Sequence, residues 1–101
     1  MTIEQFGELI HSETKERICK DFPGLDAEWE SRVKIAHGKK YARVDVGSSG
    51  KYMVDYSGNI YGIKAYGVPN LKKQFGTLET VDGYYWGGYW AVPLNWRSKN
   101  A

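Results

Sequence analysis

Cysteine occurs once in these 101 residues, at Cys19, so an intramolecular disulfide is excluded. Proline occurs three times, and no segment is repetitive or low in complexity. No apolar run approaches the roughly 18 residues that a membrane-spanning helix needs. The N-terminal segment lacks the basic start and apolar stretch of a secretion signal, so a cytoplasmic protein without membrane association is expected. The two histidines, His11 and His37, have no evident partner, and no Cys/His set has zinc spacing. No metal and no cofactor are therefore expected. Acidic residues become scarce after Glu30. Residues 1–30 hold three basic residues against eight acidic ones, and residues 31–101 hold eleven against four. Two surfaces of opposite sign are expected from that split, although a Glu-rich helix beside a Lys-bearing sheet edge produces the same pattern.

Aromatic residues, by contrast, are abundant: 15% of the chain, with eight Tyr and four Trp. Pleated sheets pack such rings better than helices do, which points to a β-rich domain. The N-terminal segment is the exception. Thr2 and Gln5 have the spacing of a capping box, and Ile3, Phe6, Ile10, Thr14, Ile18 and Phe22 recur every three or four residues. Pro23-Gly24 stops this helix, expected over 3–21. Residues 25–30 read equally as one helical turn or a connector. From Ser31 the period becomes two. Short alternating strands separated by His37-Gly38-Lys39, Gly47-Ser48-Ser49-Gly50 and Ser57-Gly58-Asn59 predict an antiparallel meander over 31–66, with a bulge or close approach at Gly62. Residues 67–79 read as a loop and 95–101 as a polar tail. The expected fold class is α+β: one N-terminal amphipathic helix packed on a bent antiparallel sheet of five to six strands, in a single domain.

Residues 80–94 read as an aromatic hairpin around the sequence YYWGGYW. Gly87-Gly88 fits a two-residue turn, which pairs Trp86 with Tyr89, Tyr85 with Trp90 and Tyr84 with Ala91. Tyr84, Trp86 and Tyr89 then share one face, and Tyr85 and Trp90 share the other. The rings are either core and rim of a small barrel or a partner-binding surface. Tyr85 and Trp90 are the pair expected to be exposed. A basic surface formed by Lys39, Lys40, Arg43, Lys51, Lys72 and Lys73 would, with stacking rings, suit single-stranded nucleic acid.

Catalytic signals are absent. Gly47 to Lys51 (GSSGK) is too short for a phosphate-binding P-loop and lies between strands, so it reads as a β-turn. Asp45 and Asp55 could approach one another across the Gly47–Gly50 turn, but no third ligand accompanies them, and salt bridges to Arg43 or Lys51 are the simpler use. Cys19 reads as a half-buried packing residue near the helix C-terminus, where the dipole opposes a thiolate.

The stretches VDVGSSGKYMVD, GNIYGIKAYG and FGTLE, within Tyr41–Glu79, resemble a group of small uncharacterised proteins of bacteriophages and mobile elements. The resemblance brings no catalytic residue with it. It implies an accessory protein acting on host machinery. The expectation is a non-enzymatic protein-binding module that inhibits or modulates a host or defence protein, as anti-CRISPR-like proteins do. The alternative is a nucleic-acid-binding module. The positive β region disfavours mimicry of DNA.

Overall fold

The computed structural model describes residues 1–88 and 91–94. Helix α1 runs over Ile3–Asp21. Its capping box forms as the spacing predicts: the Gln5 amide donates to the Thr2 hydroxyl at 3.1 Å, and the Thr2 amide donates to the Gln5 side-chain oxygen at 2.9 Å. Phe6, Ile10, Thr14 and Ile18 face inward. Phe22 does not continue the stripe. It is the C-cap residue, its backbone has left helical geometry, and its ring is 45% exposed. Cys19 is likewise exposed rather than half-buried. A single helical turn, α2 (Ala27–Glu30), resolves the ambiguous segment; Asp26 caps it by accepting from the Trp29 amide.

Five antiparallel strands follow in meander order: β1 (Val33–His37), β2 (Tyr41–Val46), β3 (Ser49–Asp55), β4 (Asn59–Ala65) and β5 (Val68–Thr77). The helix packs on this sheet, giving the α+β architecture. Alternation sends Ala42, Val44, Tyr52, Val54 and Ile60 into the core with Phe6 and Ile10. The β2–β3 ladder is irregular: Val44 pairs with Tyr52 and Asp45 with Gly50, so Lys51 has no partner residue. Such a bulge re-aims the side chain of the extra residue. A second irregularity falls at Gly62, as the sequence suggests. Asp45 and Asp55 do not approach each other. Asp55 lies opposite Tyr41, four residues along β2 from Asp45, or roughly 13 Å at the rise of a strand.

Asp55 organises its own turn instead. Its carboxylate accepts from the Ser57 and Asn59 amides at 3.1 and 2.8 Å and from the Asn59 side chain at 2.9 Å. Partial burial would raise its pKa, but these hydrogen bonds outweigh it and hold the pKa below the ordinary carboxylate value. Asp55→Ala is expected to cost about 1–2 kcal/mol in urea denaturation at neutral pH. The contribution is present above the unfolded carboxyl pKa and is lost as pH falls through the lowered folded one. The gap between the two proteins should therefore close in acid.

The segment read as a loop, 67–79, is mostly strand. Tyr66-Gly67 makes a two-residue turn, with Gly67 at φ 77°, and β5 returns along β4 from the Ala65–Val68 pair. Pro69 and the polar run Asn70–Gln74 look unlike a strand because β5 is an edge. An edge strand has no ladder on one side, so it tolerates proline, lysine and bulges.

The aromatic hairpin exists in a different register. After one 3-10 turn (Val81–Gly83), β6 (Tyr84–Tyr85) pairs with β7 (Val92–Pro93): Tyr84 faces Pro93 and Tyr85 faces Val92. The expected pairs of Tyr84 with Ala91 and Tyr85 with Trp90 are not formed, and Gly87-Gly88 is not a two-residue turn. The physical reason is Trp86. It leaves the ladder and is fully buried, with its indole N–H donating to the Val81 carbonyl at 3.0 Å. Tyr89, Trp90 and the expected tail 95–101 lie outside the described residues. Among the described residues no helix is long and apolar enough to cross a membrane.

Candidate functional site

The rings expected to bind a partner separate by environment. Trp86 is at the centre of an aromatic cluster: its ring lies 4.8 Å from Phe6 and 5.4 Å from Tyr52, edge to face in both cases, and 5.4 Å from Tyr84. Such geometry suits the ring quadrupoles. Trp86 is therefore a core residue and not a contact residue. Tyr84 packs against the same core from a half-buried position. Tyr85 is also half-buried, so it is not the open ring the alternation suggested.

The six basic residues do not form one surface. Lys39 and Lys40 are exposed in the β1–β2 turn, whereas Lys72 and Lys73 are exposed on β5, at the opposite edge of the sheet. From β2 to β5 is three strand spacings, roughly 14 Å. Arg43 is engaged with Asp45, its Nε 2.9 Å from the carboxylate. Lys51 points to the helix side and donates to the Gly88 carbonyl, beside Arg17, which donates to the Gly87 carbonyl. Burial, and then the charge of Arg17, lower the Lys51 pKa to about 8. Glu13, one turn before Arg17, shifts the other way. Burial raises its pKa, while a hydrogen bond from the Trp86 backbone acts against the rise. Both histidines have partners that the sequence hid. The His11 Nδ1–H donates to the Ser31 carbonyl at 2.9 Å, with Nε2 at 3.4 Å from Glu28. His37 stacks on Tyr56 and lies 3.9 Å from Glu4.

Two exposed apolar groups escaped the sequence reading. One is the β4–β5 hairpin, where Tyr66, Val68 and Leu71 are 65%, 46% and 63% exposed. Tyr66 is exposed yet fixed. Its hydroxyl donates to Asp45 at 3.3 Å, and the Arg43 guanidinium stacks on its ring at 4.3 Å. The ring lies over Gly50, which has no side chain to displace it. On the flank of the hairpin, Val68 and Leu71 line a groove of about 480 Å³ with Lys64 and Lys72. One signal was legible: between Asp55 and Glu79 the chain holds Lys64, Lys72 and Lys73 and no acidic residue. The second group follows α1, where Phe22, Leu25 and Trp29 are exposed and Arg32 stacks on the Trp29 ring at 3.6 Å.

Chemically, the hairpin presents a fixed ring, exposed apolar side chains and ammonium groups side by side. Among the described residues no three His, Cys, Asp or Glu side chains gather closely enough to hold a metal ion. No protein-family model, no curated protein and no solved structure matches this chain.

Proposed function

We propose that this chain is a non-enzymatic protein-binding module whose contact surface is the β4–β5 hairpin, and that it acts by covering an acidic surface of a partner protein. One observation carries the reading: Tyr66 is two-thirds exposed but already held by Asp45, Arg43 and the backbone at Gly50. A ring ordered before binding loses little freedom when a partner covers it, which is how interface hot spots arise. Edge-strand protection accounts for Pro69 and the lysines. It does not account for exposing Val68 and Leu71 beside them. Lys64 and Lys72 are exposed on a hairpin whose own sequence carries no acidic residue, which favours a negatively charged partner. The resemblance of residues 41–79 to phage and mobile-element proteins makes a bacterial host or defence protein the first partner to seek, with inhibition by occlusion as the mode of action.

The test is affinity capture from nuclease-treated bacterial lysate by the wild type and by Tyr66→Ala and Leu71→Ala. Each substitution is expected to weaken capture by about 2 kcal/mol, roughly thirtyfold, while the melting temperature stays close to that of the wild type. Capture that survives both substitutions would move the interface elsewhere. Capture that disappears with nuclease would favour the nucleic-acid alternative.

A further inference from the structure

The two free edges of the sheet are built differently. β5 carries Pro69, Lys72, Lys73 and three interruptions of its register with β4. These are the usual devices that keep an edge from pairing further. β1, at the other edge, pairs with β2 in one unbroken register, without proline or bulge, and Lys34 is its only lysine. The Gly38 amide donates to the Tyr41 carbonyl, and the Gly47 amide donates to the Arg32 carbonyl. By the alternation of an antiparallel ladder, the even-numbered residues from Arg32 to Gly38 therefore turn their backbone towards β2. The N–H and C=O groups of Val33, Ile35 and His37 face outward, and no group of the described residues takes them up.

Helix α1 lies close over this edge. It crosses β1 at Gly7, where a Cβ would stand 3.0 Å from Ile35 Cδ1 and 3.3 Å from Val33 Cγ1. The missing side chain lets the helix sit low, and its flank of Glu4, Glu8 and His11 borders the open strand. Between flank and strand runs a groove of about 350 Å³, with Val33 and Ile35 on the strand side. Val33 and Ile35 share a face of the sheet with Val44, yet Val44 is fully buried and they are only half-buried. The groove is acidic. Glu8 is exposed and pairs with no cation of the described residues, and Glu4 has only His37, at 3.9 Å. The cationic and titratable groups on the same groove are engaged elsewhere. Arg32 stacks on Trp29, and His11 donates to the Ser31 carbonyl with Glu28 beside its other nitrogen.

We propose that β1 accepts an extended, basic segment of a partner protein as an added antiparallel strand. The segment exchanges main-chain hydrogen bonds with Val33, Ile35 and His37. It seats one apolar side chain in the groove against Val33 and Ile35, and it places lysine or arginine beside Glu4 and Glu8. In this mode the main-chain bonds supply affinity and alternate side chains supply selectivity. The charges decide against a second copy of this chain as the occupant. Antiparallel pairing of two β1 strands puts both helices on the same side of the extended sheet, so Glu4 and Glu8 of one copy would face those of the other. A basic segment gains from the same charges. The site is at the opposite edge of the sheet from the β4–β5 hairpin, and the proposal does not depend on that surface.

The probe is the end-blocked peptide Thr-Lys-Thr-Leu-Thr-Lys-Thr, whose lysines and leucine fall on one face of a strand. It is titrated into the isotope-labelled full chain and followed by amide NMR. Saturable shifts are expected at Val33, Ile35 and His37 and along the helix flank at Glu4, Glu8 and His11, with none on β5. N-methylation of the leucine removes one main-chain donor and should weaken binding by about tenfold. A peptide with glutamate in place of both lysines should bind about tenfold more weakly at low salt, since two attractions become repulsions. Glu8→Lys changes an exposed side chain and leaves the core untouched. It should weaken the lysine peptide about fivefold and strengthen the glutamate peptide by a similar factor. Absence of saturable binding, shifts confined to another surface, indifference to N-methylation or equal binding of the two peptides would each overturn the proposal. Shifts of the same β1 amides that grow with protein concentration in the absence of peptide would give the edge to a second copy and overturn it as well.

Discussion

Trp86→Ala is expected to cost about 3–5 kcal/mol, the usual range for truncating a buried aromatic. A domain of this size has only about 5–15 kcal/mol in total, so the variant should be close to unfolding at room temperature. The expectation rests on complete burial. The indole has no exposed surface, meets Phe6 and Tyr52 edge to face, and places its N–H on the Val81 carbonyl. Alanine leaves a large cavity beneath α1 and an acceptor without its donor. At roughly 4 °C or more per kcal/mol, the melting temperature should fall by about 15 °C or more. Calorimetry decides it. A fall of a few degrees would mean that the ring is not part of the core, and the contact role expected from the sequence would return.

Gly87→Ala should lose about 3 kcal/mol, the upper end of the range for overpacking. A Cβ at Gly87 would stand 2.5 Å from the Tyr85 hydroxyl and 2.7 Å from the Glu13 backbone carbonyl. The tyrosine can rotate away. The carbonyl belongs to the middle of α1 and cannot, so the segment after β6 has to lift. Lifting it breaks the hydrogen bonds that Arg17 and Lys51 make to Gly87 and Gly88, together with the one from the Trp86 amide to Glu13. Hydrogen exchange at the Trp86 amide should therefore quicken along with the loss of stability in denaturant. Unchanged exchange and stability would show that the close approach of Gly87 to the helix is not needed.

Local chemistry made much of the fold legible. The capping box at Thr2 and Gln5, the stripe Phe6–Ile10–Thr14–Ile18 and the stop at Pro23-Gly24 set the helix, because cap and periodicity are properties of neighbouring residues. Alternation of apolar residues along β1 to β4, interrupted at the Lys51 bulge, set these strands and their inner face, since a slip of one residue would expose Val44 and Val54. β5 was not legible. Being an edge relieves Pro69 and the lysines of the requirements that define an inner strand, and which strand becomes the edge is a property of the whole sheet.

The candidate sites were less visible for the same reason. The YYWGGYW stretch stands out in the sequence for its rings, but whether a ring is core or contact depends on what packs over it. Helix α1 takes Trp86 into the core. Tyr66, which sits in a turn and draws no notice in the sequence, is fixed and exposed because Asp45, Arg43 and Gly50 come to it from two other strands. Lys51 looked like one cation of a basic sheet. The bulge between Val44 and Asp45 turned it to the helix side. By itself the sequence determined which segments fold as helix and inner strands, through patterns of near neighbours. Only the tertiary structure decided which rings are buried, which strand is left open and which side of the sheet a lysine faces, because those follow from contacts between residues far apart in the chain.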